Sequence, residues 1–196
     1  GSKTTVMKIN LLLGIFLLGL LCAEAGSESA ANTNVSEVWF LPTVSFGQAI
    51  VKAAEGAQES IYMLTYFISG SQGSPIKEFY ETLKQKAQAG LDVIVIAEFG
   101  SGTEKSVKYA NMRFGEELAN SGVKIYFMQS EKTMHKKMLL VDKKRVFLGS
   151  SNLTIAGVYG SHEMNVLIED PTFVADAGED FRDMLSKSKL AQDLKF

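Results

Sequence analysis

The chain has 196 residues, of which 46% are hydrophobic and 21% charged, with a formal net charge of −2 at pH 7. This is an ordinary globular composition with room for one core, which excludes a disordered or fibrous chain. So mild an acidity also excludes a general polyanion binder, and any grip on nucleic acid has to come from local clustering.

In chain order, Lys3 and Lys8 precede an apolar run from Leu11 to Leu21, followed by Ala23-Glu24-Ala25. A basic start, a short apolar run and an A-x-A site describe a secretory signal peptide over residues 1–25. An uncleaved N-terminal membrane anchor is the alternative, although the run is short of the ~20 residues that span a bilayer. Either way the protein is expected to be exported, periplasmic or secreted. Its one cysteine, Cys22, falls in this leader, so a cleaved product has no disulfide and no thiolate metal site. Residues 26–36 (GSESAANTNVS) have no apolar periodicity and read as a flexible polar linker.

A single domain follows over residues 37–196. Val38–Leu41 is a short strand, and a helix from Ser45 to Ala57 turns Phe46, Ile50, Val51 and Ala54 to one face. Ser60–Phe67 reads as a buried strand. Ser74-Pro75 opens a helix that Gly90 ends, since proline is well placed at the first helical position and glycine just past the last. Asp92–Phe99 is a second apolar strand, then comes a helix carrying Val107, Phe114 and Leu118 that stops at Gly122. Val123–Met128, Lys137–Val141, Arg145–Leu148 and Glu163–Ile168 are further strands, the middle two a hairpin joined by the tight connection Asp142-Lys143-Lys144, and Asp170-Pro171 opens a last helix facing inward through Val174, Ala177 and Phe181. Near-continuous apolar strands alternating with helices predict an α/β fold: a mixed, mostly parallel β-sheet sandwiched between helices.

The chemistry concentrates in His135-x-Lys137, Asp142 and Gly149-Ser150-x-Asn152. Strand alternation puts His135 and Lys137 on one side and Lys136 on the other. Imidazole is a competent nucleophile toward phosphorus, Lys137 can balance the non-bridging oxygens, and Ser150 and Asn152 offer short polar groups to the same oxygens. Glu163 is placed to accept the second imidazole N–H. Lys132, Lys136, Lys137, Lys143, Lys144 and Arg145 form a basic cluster around the motif, with Lys143 and Lys144 reading equally well as turn residues that solvate the hairpin. Asp142, Ser150 and Asn152 also have plain readings as turn residues, and Glu163 as an exposed strand carboxylate.

The pattern His135-x-Lys137-x4-Asp142-x6-Gly149-Ser150-x-Asn152 resembles the HKD signature of the phospholipase D superfamily, and the similarity extends over nearly all of residues 37–188. The likeness is to the small bacterial single-motif nucleases. It implies a phospholipase D/nuclease-like fold and a metal-independent, cofactor-free phosphodiesterase acting in two steps. His135 would attack phosphorus, Lys137, Ser150 and Asn152 would bind the phosphate, and Glu163 would orient the imidazole. Asp142 belongs to the signature with an architectural part. In-line displacement needs an acid opposite the nucleophile, and this chain has one motif. The family's solution is a homodimer that shares the site across a two-fold axis, with His162 as the alternative acid. The leading substrate is DNA or RNA, single strands suiting a narrow cleft where Tyr66 or Phe67 stack, unless these are core. Phosphatidyl lipid or cardiolipin is the second reading, and a tethered nucleic-acid-binding protein the third.

Overall fold

Each apolar run that reads as a strand enters one sheet. The computed structural model describes residues 8–9, 37–69, 73 and 75–194. The expected linker, the leader apart from Lys8 and Ile9, and Ser74 at the expected helix start lie outside the described residues. Among the described residues the strands are β1 (Lys8–Ile9), β2 (Val38–Pro42), β3 (Ser60–Thr65), β4 (Asp92–Glu98), β5 (Lys124–Met128), β6 (Met138–Val141), β7 (Arg145–Gly149), β8 (Met164–Ile168) and β9 (Ser188–Leu190). Their spatial order is β1-β2-β8-β7-β6-β3-β4-β5-β9. The helices are α1 (Thr43–Gly56), α2 (Ile76–Gln88), α3 (Lys105–Ala119) and α4 (Pro171–Ser186).

The α/β class and the mixed sheet stand, but the expected parallel majority does not. Only β3–β4 and β4–β5 pair in parallel; the other neighbours are antiparallel. The reason lies in the connections. A parallel pair needs a long crossover, and α2 and α3 supply one each, whereas the turn Asp142–Lys144 between β6 and β7 is too short for anything but a hairpin. Asp142 and Lys143 take positive φ, both 52°, to close that turn. β9 was not anticipated from the sequence. It pairs with β5 at the sheet edge, where three residues carry too little pattern to read.

Side-chain alternation sends the strands' two faces into two cores. Ile61 and Met63 of β3, Val93 and Val95 of β4 and Phe127 of β5 pack against Phe46, Ile50, Phe79, Leu83 and Leu118 of α1, α2 and α3. Leu64, Ile94, Ile96 and Leu140 point the other way, toward Val174, Ala177 and Phe181 of α4. Phe181 is 2% exposed and stacks on Tyr62 with ring centroids 4.8 Å apart; burial of such a side chain contributes about 2–3 kcal/mol. α4 starts as read, with Asp170 accepting from the Phe173 N–H at 2.8 Å and Pro171 at the first turn. α1 begins two residues earlier than expected, at Thr43, whose hydroxyl is engaged across the fold rather than at its own helix end.

Candidate active site

His135 and Lys137 sit just before β6, in the extended segment that leaves β5, so the strand expected to carry them starts one residue later. The predicted alternation holds nonetheless. Met134 and Met138 are both buried in the α4-side core and pin the segment at its two ends. Between them, the Lys137 Nζ lies 3.1 Å from both imidazole nitrogens and donates to the His135 carbonyl at 2.9 Å. Lys136 points elsewhere and pairs with Asp180 of α4 at 2.5 Å. Burial and then the Lys137 charge hold the His135 imidazole below its ordinary pKa, which favours the neutral, nucleophilic form. Burial also lowers the Lys137 pKa, opposed by the Glu163 carboxylate.

The Gly149-Ser150-Ser151-Asn152 segment is brought to the same place by the pairing of β6 with β7, in which Leu148 lies opposite Met138 and the Gly149 N–H donates to the Lys137 carbonyl at 3.4 Å, and it is held from the other side by β8. A Cβ on Gly149 would meet Asn165 Oδ1 at 2.0 Å and the Met164 carbonyl at 2.6 Å, so only glycine lets the chain pass this close. The buried Asn165 side chain donates to Ser151 Oγ at 2.9 Å. Ser150 exchanges backbone and hydroxyl bonds with Met164, and its hydroxyl donates to the Glu163 carboxylate. Asn152 is half-buried, and its amide oxygen is buried with no hydrogen-bond partner among the described residues. Rotation of a carboxamide exchanges its oxygen for two N–H donors, which a phosphate oxygen would satisfy.

Glu163 thus faces Ser150 and acts electrostatically on Lys137; the expected hydrogen bond to the imidazole is not made in this chain. Its backbone N–H is held by Thr43 Oγ1 at 3.0 Å, which ties it to the start of α1. His162 is exposed on the loop before β8. Asp142, counted among the catalytic candidates, is not brought here. It lies at the far end of β6, where its carboxylate accepts the backbone N–H groups of Gln58, Glu59 and Ser60 at 2.8–3.1 Å. Burial works against its charge, and these three donors more than offset that, holding the carboxyl below the usual range.

The expected basic cluster also divides. Lys143, Lys144 and Arg145 sit at that same distant hairpin, and Lys144 and Arg145 pair with Glu59 and Glu169. A hairpin's turn and its open end are opposite ends of the sheet, so nearness in sequence misled. What remains near His135 is a cleft of about 430 Å³ whose lining includes Lys132, Lys136 and Lys187.

Tyr66 is the residue that sequence reading left between stacking and core. It is half-buried, and its ring lies 4.7 Å from the His135 ring, tilted by 54°, with the Lys137 ammonium 5.3 Å from its centroid. Two buried polar residues behind the site were missed, Glu98 and Asn111. A carboxylate closing the apolar run Asp92–Phe99 was the available signal.

Residues 50–185 match the family described as cardiolipin synthase, PLD-like domain. The chain belongs to the phospholipase D superfamily. This is a superfamily of phosphodiesterases, and the HKD signature lies inside the matched span. Cardiolipin synthase A of Yersinia pseudotuberculosis is 30% identical over 150 residues, covering 76% of this chain and 29% of that protein. The phospholipase D-like chain therefore spans less than a third of the curated relatives it matches. Among solved structures, the phospholipase D family member Nuc from Salmonella typhimurium superposes with a TM-score of 0.64 at 24% identity, covering 79% of this chain and 96% of that one. NucT from Helicobacter pylori gives 0.63 at 16% identity, with 78% and 98% covered. Phosphatidylserine synthase of Haemophilus influenzae gives 0.63 at 18% identity, with 84% and 43% covered. These likenesses show a common fold.

Proposed function

We propose that this chain is a phosphodiester hydrolase working through a phosphohistidine, and that its substrate is DNA or RNA. The observation that carries the reading is the Lys137 ammonium 3.1 Å from both His135 ring nitrogens, with the Gly149 N–H that opens the Gly-Ser-x-Asn segment donating to the Lys137 carbonyl; burial and the Lys137 charge keep the imidazole toward its neutral form. A ring nitrogen of His135 attacks phosphorus and the bond to the leaving oxygen breaks, that oxygen taking a proton from an acid on the opposite face. Water then attacks phosphorus, giving a proton to that same group, which is now a base, and the P–N bond breaks to release His135. Lys137 and Asn152 hold the non-bridging oxygens as charge grows on them.

The acid is His135 of a second copy, in a homodimer that shares the site. Supporting this, Val44 and Met164, which adjoin Thr43 and Glu163, are exposed, as are Ile155 and Tyr159 on the connection before β8, so apolar surface is available to a two-fold contact. Nucleic acid is favoured by the lysine-bearing cleft beside His135 and by Tyr66, whose ring offers a surface to an unpaired base. Nuc and NucT, covered to 96% and 98% of their lengths, share this fold. Export, by a leader or anchor in residues 1–25, belongs to the same proposal; among the described residues no helix is long and apolar enough to cross a membrane.

Phospholipid is the second reading, favoured by the cardiolipin synthase description of the matched family. The test sets chelator-treated protein against single-stranded DNA, RNA, and vesicles of phosphatidylglycerol with cardiolipin. Cleavage of a nucleic acid that disappears in His135→Ala is expected. Headgroup release from the vesicles alone would promote the lipid reading, and hydrolysis surviving in His135→Ala would end the mechanism.

A further inference from the structure

We infer that Glu98 is a positioning residue for the nucleophile, acting on His135 through the neighbouring backbone. Glu98 ends β4 with 0% of its surface exposed. Its Oε1 accepts the Gly100 N–H and the Thr103 hydroxyl, each at 2.5 Å, and its Oε2 accepts the Met134 N–H at 2.7 Å. Met134 is the residue before His135. One carboxylate thus joins the loop that enters α3 to the segment that carries the imidazole.

The packing leaves this junction little slack. A Cβ on Gly100 would meet the Ser130 carbonyl at 2.3 Å and Glu98 Oε1 at 2.7 Å, so the two loops are in direct contact. Asn111 of α3, also 0% exposed, completes the arrangement. Its amide N–H groups donate to the Tyr66 and Glu98 carbonyls at 2.9 Å, and its oxygen accepts the Ile68 N–H at 2.9 Å. The imidazole is therefore set from two sides. Glu98 fixes the chain it hangs from, and Asn111 fixes the chain bearing the ring of Tyr66 that it rests against.

A buried carboxylate is costly to desolvate, and apolar replacements of buried charges often stabilise a fold. Stability alone therefore accounts poorly for a charge here. What the carboxylate supplies is reach and direction. As an acceptor on both oxygens it meets three donors in a geometry that no neutral side chain reproduces. Glutamine turns one oxygen into a donor, which must face either the Met134 N–H or the Gly100 and Thr103 pair.

The inference rests on His135 being the nucleophile, so the test reads position as well as turnover. The chain has two histidines, so ring-labelled protein gives two sets of imidazole signals, with His162 as the internal control. In Glu98→Gln, the His135 signals are expected to shift or broaden while those of His162 stay. With KM little changed, kcat should fall about ten- to a hundredfold, as for a misplaced reacting group. Glu98→Asp, one methylene short of spanning both sides, should not rescue it. Thr103→Val keeps the Met134 contact and should stay within about threefold of the parent. Replacing Met134 by its α-hydroxy acid analogue turns only its N–H into an ester oxygen and keeps the buried side chain, and serves if Glu98→Gln does not fold; the same His135 shift and kcat loss are expected. A folded Glu98→Gln or Met134-ester protein with unmoved His135 signals, or with kcat within about twofold, overturns the inference. Inactivity of the parent protein would count against the proposed reaction, while the imidazole signals still report whether Glu98 positions His135.

Discussion

Replacing Asp142 separates scaffold from chemistry. In Asp142→Ala, three backbone N–H groups lose a carboxylate acceptor at 2.8–3.1 Å. Bonds to a charged acceptor contribute about 1.5–3 kcal/mol each when sheltered, but Gln58 and Glu59 are exposed, so ~1 kcal/mol each is the better figure. Alanine also has to hold a φ of 52° without a short polar side chain, which adds about 1 kcal/mol. The expected loss is thus ~3–4 kcal/mol, or roughly 10 °C in Tm for a domain of this size. Asp142→Asn keeps one acceptor oxygen and tolerates the turn, so it should lose ~1–2 kcal/mol. The assay is urea unfolding, with a fall in midpoint at constant m, together with activity per folded molecule. The pH dependence has a definite sign. A carboxyl held below its unfolded pKa of 3.8 contributes stability that is fully present above that value, and the contribution is lost as pH falls through the lower, folded one. The gap between parent and Asp142→Asn should therefore persist at pH 5 and close only below pH 4. An Asp142→Ala protein as stable as the parent but inactive would refute this reasoning and return Asp142 to the chemistry.

Two further outcomes are expected. The acid limb of kcat/KM, and the His135 titration followed by its imidazole signals, should lie below the ordinary imidazole value of 6.5, because burial and the Lys137 charge both oppose protonation; Lys137→Met should move the titration upward, and no movement would remove Lys137 as a cause. Gly149→Ala should cost at least ~2 kcal/mol, since its Cβ falls 2.6 Å from the Met164 carbonyl, a backbone atom that cannot swing away; thermal melting checks it, and an unchanged Tm would mean the β7–β8 junction is looser than described.

The parts of this protein legible in sequence are those written in repeated, local terms. Near-continuous apolar runs located β3 to β8, Asp170-Pro171 marked the start of α4, and a fixed spacing gathered His135, Lys137, Ser150 and Asn152. What escaped depends on non-local geometry. The β6–β7 hairpin could be read from its tight turn, but the antiparallel direction of β8 against β7 and of β6 against β3 is not written in apolar content. Lys143 to Arg145 lie near the motif in sequence and at the other end of the sheet in space. Glu98, Asn111 and Asn165 are single polar residues whose partners come from segments up to 45 residues away, and no periodicity announces them.

The His135–Lys137 segment is an arch of three residues between two buried methionine feet, with Lys136 leashed outward to Asp180. Such an arch tolerates changes of side chain more readily than changes of length. One residue inserted between Met134 and Met138 would invert the alternation beyond it, so that keeping one foot seated turns the other out of the core. Divergence of this site is therefore confined to substitution, and the spacing of the motif is a property of the arch before it is a property of the reaction.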